Sequence, residues 1–162
     1  MKTAISIPDA LFKSADTLAG RLGVSRSQLY ATAIAEYVQW TMRMPKSWDG
    51  NPFTFSVDWS HASTTTNFGV AWELSVLALS DGDAIDTAFG TGVAVTDTGG
   101  NTSYRYATAE SGNVTASNTP ADGDLFVFQL CRKVADAADT MAIDARLWGV
   151  ELHYTTDAVN DA

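Results

Sequence analysis

Cysteine is almost missing from this chain. Cys131 stands alone, which excludes an intrachain disulfide and a cysteine-rich metal site, and its neighbours Phe128 and Leu130 suggest packing in a strand rather than a reactive thiol. Histidine is nearly as scarce. His61 and His153 are far apart, neither sits in a nucleophile or zinc signature, and both read as polar residues on strand faces. Basic charge is also short, with ten Lys and Arg against 19 Asp and Glu for a net charge of −9. No apolar run approaches the roughly 20 residues that span a bilayer, and Pro8, Asp9 and Lys13 fall where a secretory signal would carry its apolar stretch. The expectation is a chain with no membrane association and no secretion signal.

Nucleotide and metal signatures are equally thin. Gly90-Thr91-Gly92 lacks both a strand-to-helix context and the Lys of a phosphate-binding loop. Asp81, Asp83 and Asp86 lack the spacing and terminal Glu of a calcium loop and read as capped-turn acids, as do Asp136, Asp139 and Asp144. Asn101-Thr102-Ser103 and Asn113-Val114-Thr115 match glycosylation acceptors without an export context. These residues imply no enzyme, catalytic residue, metal or cofactor.

The charge is unevenly placed. Residues 1–46 hold six basic and three acidic side chains, net +3, whereas residues 47–162 hold four basic and 16 acidic, net −12. A weakly basic head thus precedes an acidic body that would repel a polyanion.

In the head, Lys2 to Ile7 alternate, with Thr3, Ile5 and Ile7 on one side and Lys2, Ala4 and Ser6 on the other, the period of a half-buried strand. Pro8 stops it. Leu11, Ala15, Leu18, Ala19 and Leu22 follow at helical spacing before Gly23, and Ser25 is a good N-cap for a second helix striped by Leu29, Ala33, Ile34, Tyr37 and Val38. A strand and two short helices bury too little to fold alone, so a two-fold dimer is expected.

The I-S-I-P-D opening, the R-L-G-V-S-R-S turn and the Y-A-x-A-I-x-E-Y helix resemble the ribbon-helix-helix family, particularly antitoxins and repressors of the CopG type. The resemblance covers residues 1–38. It implies that Lys2, Ala4 and Ser6 face DNA bases in the major groove, and that Ser25, Arg26 and Ser27 clamp a phosphate. Thr3, Ile5, Ile7, Leu11, Leu18, Leu22, Leu29 and Ile34 would form the dimer strand and core.

Residues 39–162 read as a second, all-β domain. Gln39 to Met44 alternate, with Trp40, Met42 and Met44 on one face, and Pro45 ends that strand. Phe53, Phe55, Val57 and Trp59 alternate, as do Phe126, Phe128 and Leu130. Leu147, Val150 and Leu152 mark a last strand with Gly149 as a bulge. Connections such as TDTGGNTS and SNTPADGD are turn-rich, and Asp83 to Phe89 is expected as one short helix. The fold class expected is α+β: a ribbon-helix-helix module followed by an antiparallel sandwich or jelly roll. EYVQWTMRMPKSWDG, FSVDWSHASTTTNFGVAWEL, ALSDGDAIDTAFG and ADAADTMAIDARLWGVELHYTTDA resemble a β-domain of tailed-phage and prophage virion proteins. The two resemblances share Glu36-Tyr37-Val38, where two ancestries, natural or engineered, could join.

Three functions follow. The first is a non-enzymatic virion accessory part, such as a decoration, fibre or tail component, with the head as an oligomerisation module. The second is a repressor or type II antitoxin carrying an extra β-domain. The third is a glycan-binding module resting on an exposed tryptophan among Trp48, Trp59, Trp72 and Trp148, for which core packing is the better-supported reading. Expected partners are a second copy of the chain, as a dimer through the head or a trimer or hexamer through the β-domain, and then operator DNA, phage particle proteins or a toxin. The expected location is the bacterial cytoplasm or a phage virion.

Overall fold

The computed structural model describes residues 13, 15–17, 20, 37–62, 68–100 and 104–157. The chain divides into two compact units, Met1–Tyr37 and Val38–Ala162.

Among the described residues, seven strands follow one another: β1 (Tyr37–Arg43), β2 (Thr54–His61), β3 (Phe68–Leu79), β4 (Val93–Gly99), β5 (Tyr106–Ala107), β6 (Leu125–Arg132) and β7 (Ala145–His153). They form a four-stranded sheet in the order β1-β6-β3-β4 and a three-stranded sheet in the order β5-β2-β7. β3 is antiparallel to both β4 and β6, and β2 is antiparallel to both β5 and β7. The alternation gives each strand one apolar face to bury, and here the two sheets bury theirs against each other.

One core serves both sheets. Phe55, Val57 and Trp59 of β2 are fully buried with Val70, Leu74 and Val76 of β3 and Phe126 and Phe128 of β6. Trp40 of β1 stacks on Phe128 with ring centroids 5.1 Å apart and planes 8° from parallel. Met42 packs against the same core and Met44 is buried. The period-two reading of Trp40, Met42 and Met44 therefore holds.

The expected α+β class does not. Among the described residues, helical backbone is confined to positions 13, 15, 16, 17 and 20, with no helix of seven residues or more. Among the described residues no helix-containing ribbon-helix-helix module is seen. Tyr37 and Val38, placed by spacing on a second helix, instead open β1 and are half exposed. Their β-branched and aromatic side chains suit an edge strand as well as a helix stripe, so three-residue spacing was a weak guide there. Lys2, Ala4, Ser6, Ser25, Arg26 and Ser27, and the dimer residues Thr3, Ile5, Ile7, Leu11, Leu18, Leu22, Leu29 and Ile34, lie outside the described residues.

The helix expected over Asp83 to Phe89 is likewise replaced by turns. Asp83 turns its carboxylate back onto the Ser80 N–H at 2.7 Å and the Asn118 amide at 3.0 Å, and its own N–H donates to the Ser80 carbonyl, which closes a tight turn.

Candidate functional site

The outward positions of β2 are Thr54, Ser56, Asp58 and Ser60, alternating with the buried Phe55, Val57 and Trp59. Across the ladder on β7 they meet His153, Glu151, Gly149 and Arg146. Asp58 also faces Ala107 of β5 on its other side. The middle rung of this outer face therefore runs Ala107, Asp58, Gly149, with a carboxylate between two of the smallest residues.

A bulge places an aromatic ring beside that rung. Asp58 pairs with Gly149 and Trp59 with Leu147, so the register steps over Trp148. An extra residue in one strand is pushed out of the ladder and its side chain is re-aimed. Trp148 is 71% exposed, yet its Nε1 donates to Ser60 Oγ at 2.8 Å, and Ser60 is buried beneath it. The only polar atom of the indole is satisfied within the protein. What the ring offers outward is apolar π surface held in one orientation.

Around it the groups are polar. Arg105 donates to Asp58 Oδ1 at 2.5 Å in a largely exposed ion pair, and Thr54 donates to Glu110. Apart from its chain neighbours Trp148 and Val150, no heavy atom lies within 4 Å of a Cβ built on Gly149, so no other part of the protein covers the backbone there.

No family model, curated protein or solved structure matches the chain. The resemblances of residues 1–38 to ribbon-helix-helix proteins and of residues 36–162 to a virion β-domain thus gain no family support.

Of the four tryptophans weighed for stacking on sugars, Trp48, Trp59 and Trp72 are buried in the core and Trp148 is open. Core packing, the reading favoured for all four, holds for three. The signal that could have marked the fourth is the bulge expected at Gly149: Val150 and Leu152 pack on the core, and the register steps over Trp148. His153 pairs with outward Thr54, as a polar strand-face residue should.

His61 does not face solvent. It continues the inward phase of Phe55, Val57 and Trp59, is fully buried, and has no hydrogen-bond partner at Nδ1 or Nε2. Rings of Phe68, Tyr106 and Trp59 surround it, with centroids at 4.7, 5.6 and 6.0 Å. Extending the β2 alternation by one residue would have placed it inside.

Two acidic clusters resolve into structure. Asp139 and Arg132 form a buried two-pronged pair at 2.6 and 2.8 Å, and Arg132 also donates to the carbonyls of Ile143 and Met141. Asp136 accepts from the Ala138 N–H, as a turn cap does. Asp81, Asp83, Asp122 and Asp124 line an open groove of about 450 Å³ with Arg43 at its edge, donating to the Gly123 carbonyl at 2.7 Å. Asp124 is itself engaged by the Ser80 hydroxyl and the Ala121 N–H. Among the described residues no group of three or more His, Cys, Asp or Glu side chains is arranged to hold a metal ion. Cys131 is half-buried and lies 4.0 Å from Glu73 Oε1.

No helix among the described residues is long and apolar enough to cross a membrane.

Proposed function

We propose that the second unit is a non-enzymatic recognition module, a β-sandwich that engages its target through the outer face of the three-stranded sheet. The observation that carries this reading is Trp148, a large ring extruded by a bulge, anchored through its N–H and left open. Burying an exposed tryptophan supplies much of the energy of many interfaces, and a ring already held in place loses little entropy on binding. An accessory part of a phage particle, such as a decoration or fibre component, is a setting that suits such a module, with the virion rather than the bacterial cytoplasm as its location. The repressor and antitoxin alternative rests on the ribbon-helix-helix head, for which no family model gives support.

The test is a surface array carrying neutral oligosaccharides, acidic oligosaccharides and peptides, probed with the full chain and with Trp148→Ala. The expected result is binding in at least one block that the substitution removes. Absence of any Trp148-dependent signal would sink the reading.

A further inference from the structure

We infer that the ligand of the Trp148 face is a neutral glycan, with one pyranose ring seated over Gly149 against the indole. This rests on the reading of Trp148 as the binding surface and adds the chemical class of what it binds.

Three observations select that class. The first is the shape of the floor. Gly149 lies beside Trp148, and the space its side chain would occupy is open, while Ala107 keeps the far side of the same rung low. Neighbouring strands stand about 4.8 Å apart, so a ring placed over Gly149 reaches from β7 to Asp58 on β2. That is roughly the width of a pyranose. A flat peptide strand, in contrast, would need the free edge of β7, where the bulge at Trp148 interrupts the ladder.

The second is the mixture of donors and acceptors. A sugar presents an apolar C–H face for stacking and a rim of hydroxyls that each need both kinds of partner. The rungs around Trp148 hold Asp58 and Glu151 as acceptors and Arg105 and Arg146 as donors, with Ser56 able to serve as either. Asp58 is held by Arg105 while remaining one-third exposed, so it is pre-oriented rather than free to collapse onto the ring.

The third is charge. Asp58, Glu110 and Glu151 stand against Arg105 and Arg146 on this face, so local charge nearly cancels and attracts neither a polyanion nor a polycation. Residues 47–162 as a whole, the face included, carry net −12, which repels uronates, sialosides, teichoic phosphates and nucleic acids alike. A neutral ligand pays no such cost.

The experiment extends the array with two further full-length variants. Gly149→Val fills the open space without strain, since Gly149 does not adopt a positive φ and valine suits a strand. Trp148→Phe keeps a smaller π face and loses the anchoring hydrogen bond. Binding is expected in the neutral oligosaccharide block only, weakened at least tenfold by Trp148→Ala and by Gly149→Val, and less by Trp148→Phe, with melting temperatures unchanged. Trp148-dependent binding confined to the peptide or acidic block would overturn the glycan assignment and leave the recognition reading standing. Loss of Trp148 dependence in every block would overturn both. Neutral-glycan binding that survives Gly149→Val would refute the seat over Gly149.

Discussion

Two polar residues withdrawn from solvent, the largely buried Arg132 and the fully buried His61, are treated in opposite ways. Arg132, at the end of β6, spends its donors on Asp139 and on the carbonyls of Met141 and Ile143, and the Asp139 carboxylate also accepts from the Ala71 N–H. His61, at the end of β2, is walled by three aromatic rings and hydrogen-bonds to nothing. The first site ties the loop from Lys133 to Asp144 down onto β3, where Thr140 and Met141 also donate to the Gly69 carbonyl. The second acts as a flat packing element whose polar atoms are a burden. Burial alone therefore says little about a polar side chain; whether its hydrogen-bonding capacity is met decides the sign of its contribution.

The largest test of this contrast removes a charge from the satisfied site. Asp139→Ala leaves the Arg132 guanidinium buried without its partner, and a loss of about 3–5 kcal/mol is expected in urea unfolding. A loss below about 1 kcal/mol would mean that water replaces the carboxylate and that the loop is not held by it.

The next two tests probe the box around His61. A Cβ on Gly99 would stand 2.6 Å from Trp59 Cη2 and about 3.1 Å from the imidazole. Gly99→Ala should therefore cost about 1–3 kcal/mol through overpacking. His61→Phe should act the other way, stabilising the fold by about 1–2 kcal/mol, because a ring of similar shape replaces two unpaired polar atoms. Destabilisation of that size by His61→Phe would show that the imidazole makes a hydrogen bond, and the contrast with Arg132 would fail.

The smallest effect is on the surface. Asp49 accepts hydrogen bonds from the Thr155 hydroxyl and from Asn51, and these, Thr155 first, hold its carboxyl below the ordinary value of 3.8. Its contribution to stability is fully present above that ordinary value and is lost as pH falls through the lower native one. The protection of the Asn51 amide, measured against its intrinsic exchange rate at each pH, should fall on acidification through that window, and Asp49→Asn should flatten that pH dependence. An unchanged profile in the variant would place the acid sensitivity elsewhere.

Much of the β-architecture was legible because alternation is a local signal. Phe55, Val57 and Trp59, Phe126 and Phe128, and Trp40, Met42 and Met44 each announce an inward face within a few residues. The bulge was legible at Gly149, although the residue it extrudes is Trp148. Helix and strand were confused at Tyr37 and Val38, where a short stripe fits both periods, and helix and turn at Asp83, whose carboxylate accepts from the Ser80 N–H and the Asn118 amide.

By itself, then, the sequence determined the strands and the phase of their faces, the acidic charge of the larger part and the scarcity of nucleophiles and metal ligands, all properties of residues and their near neighbours. Tertiary structure alone decided that Asp139 meets Arg132, that His61 is boxed in by Phe68 and Tyr106, and that Trp148 lies over Ser60 with open space above Gly149. Each of those depends on strand register between segments far apart in the chain, and register is settled by the packing of the whole core rather than by any one strand.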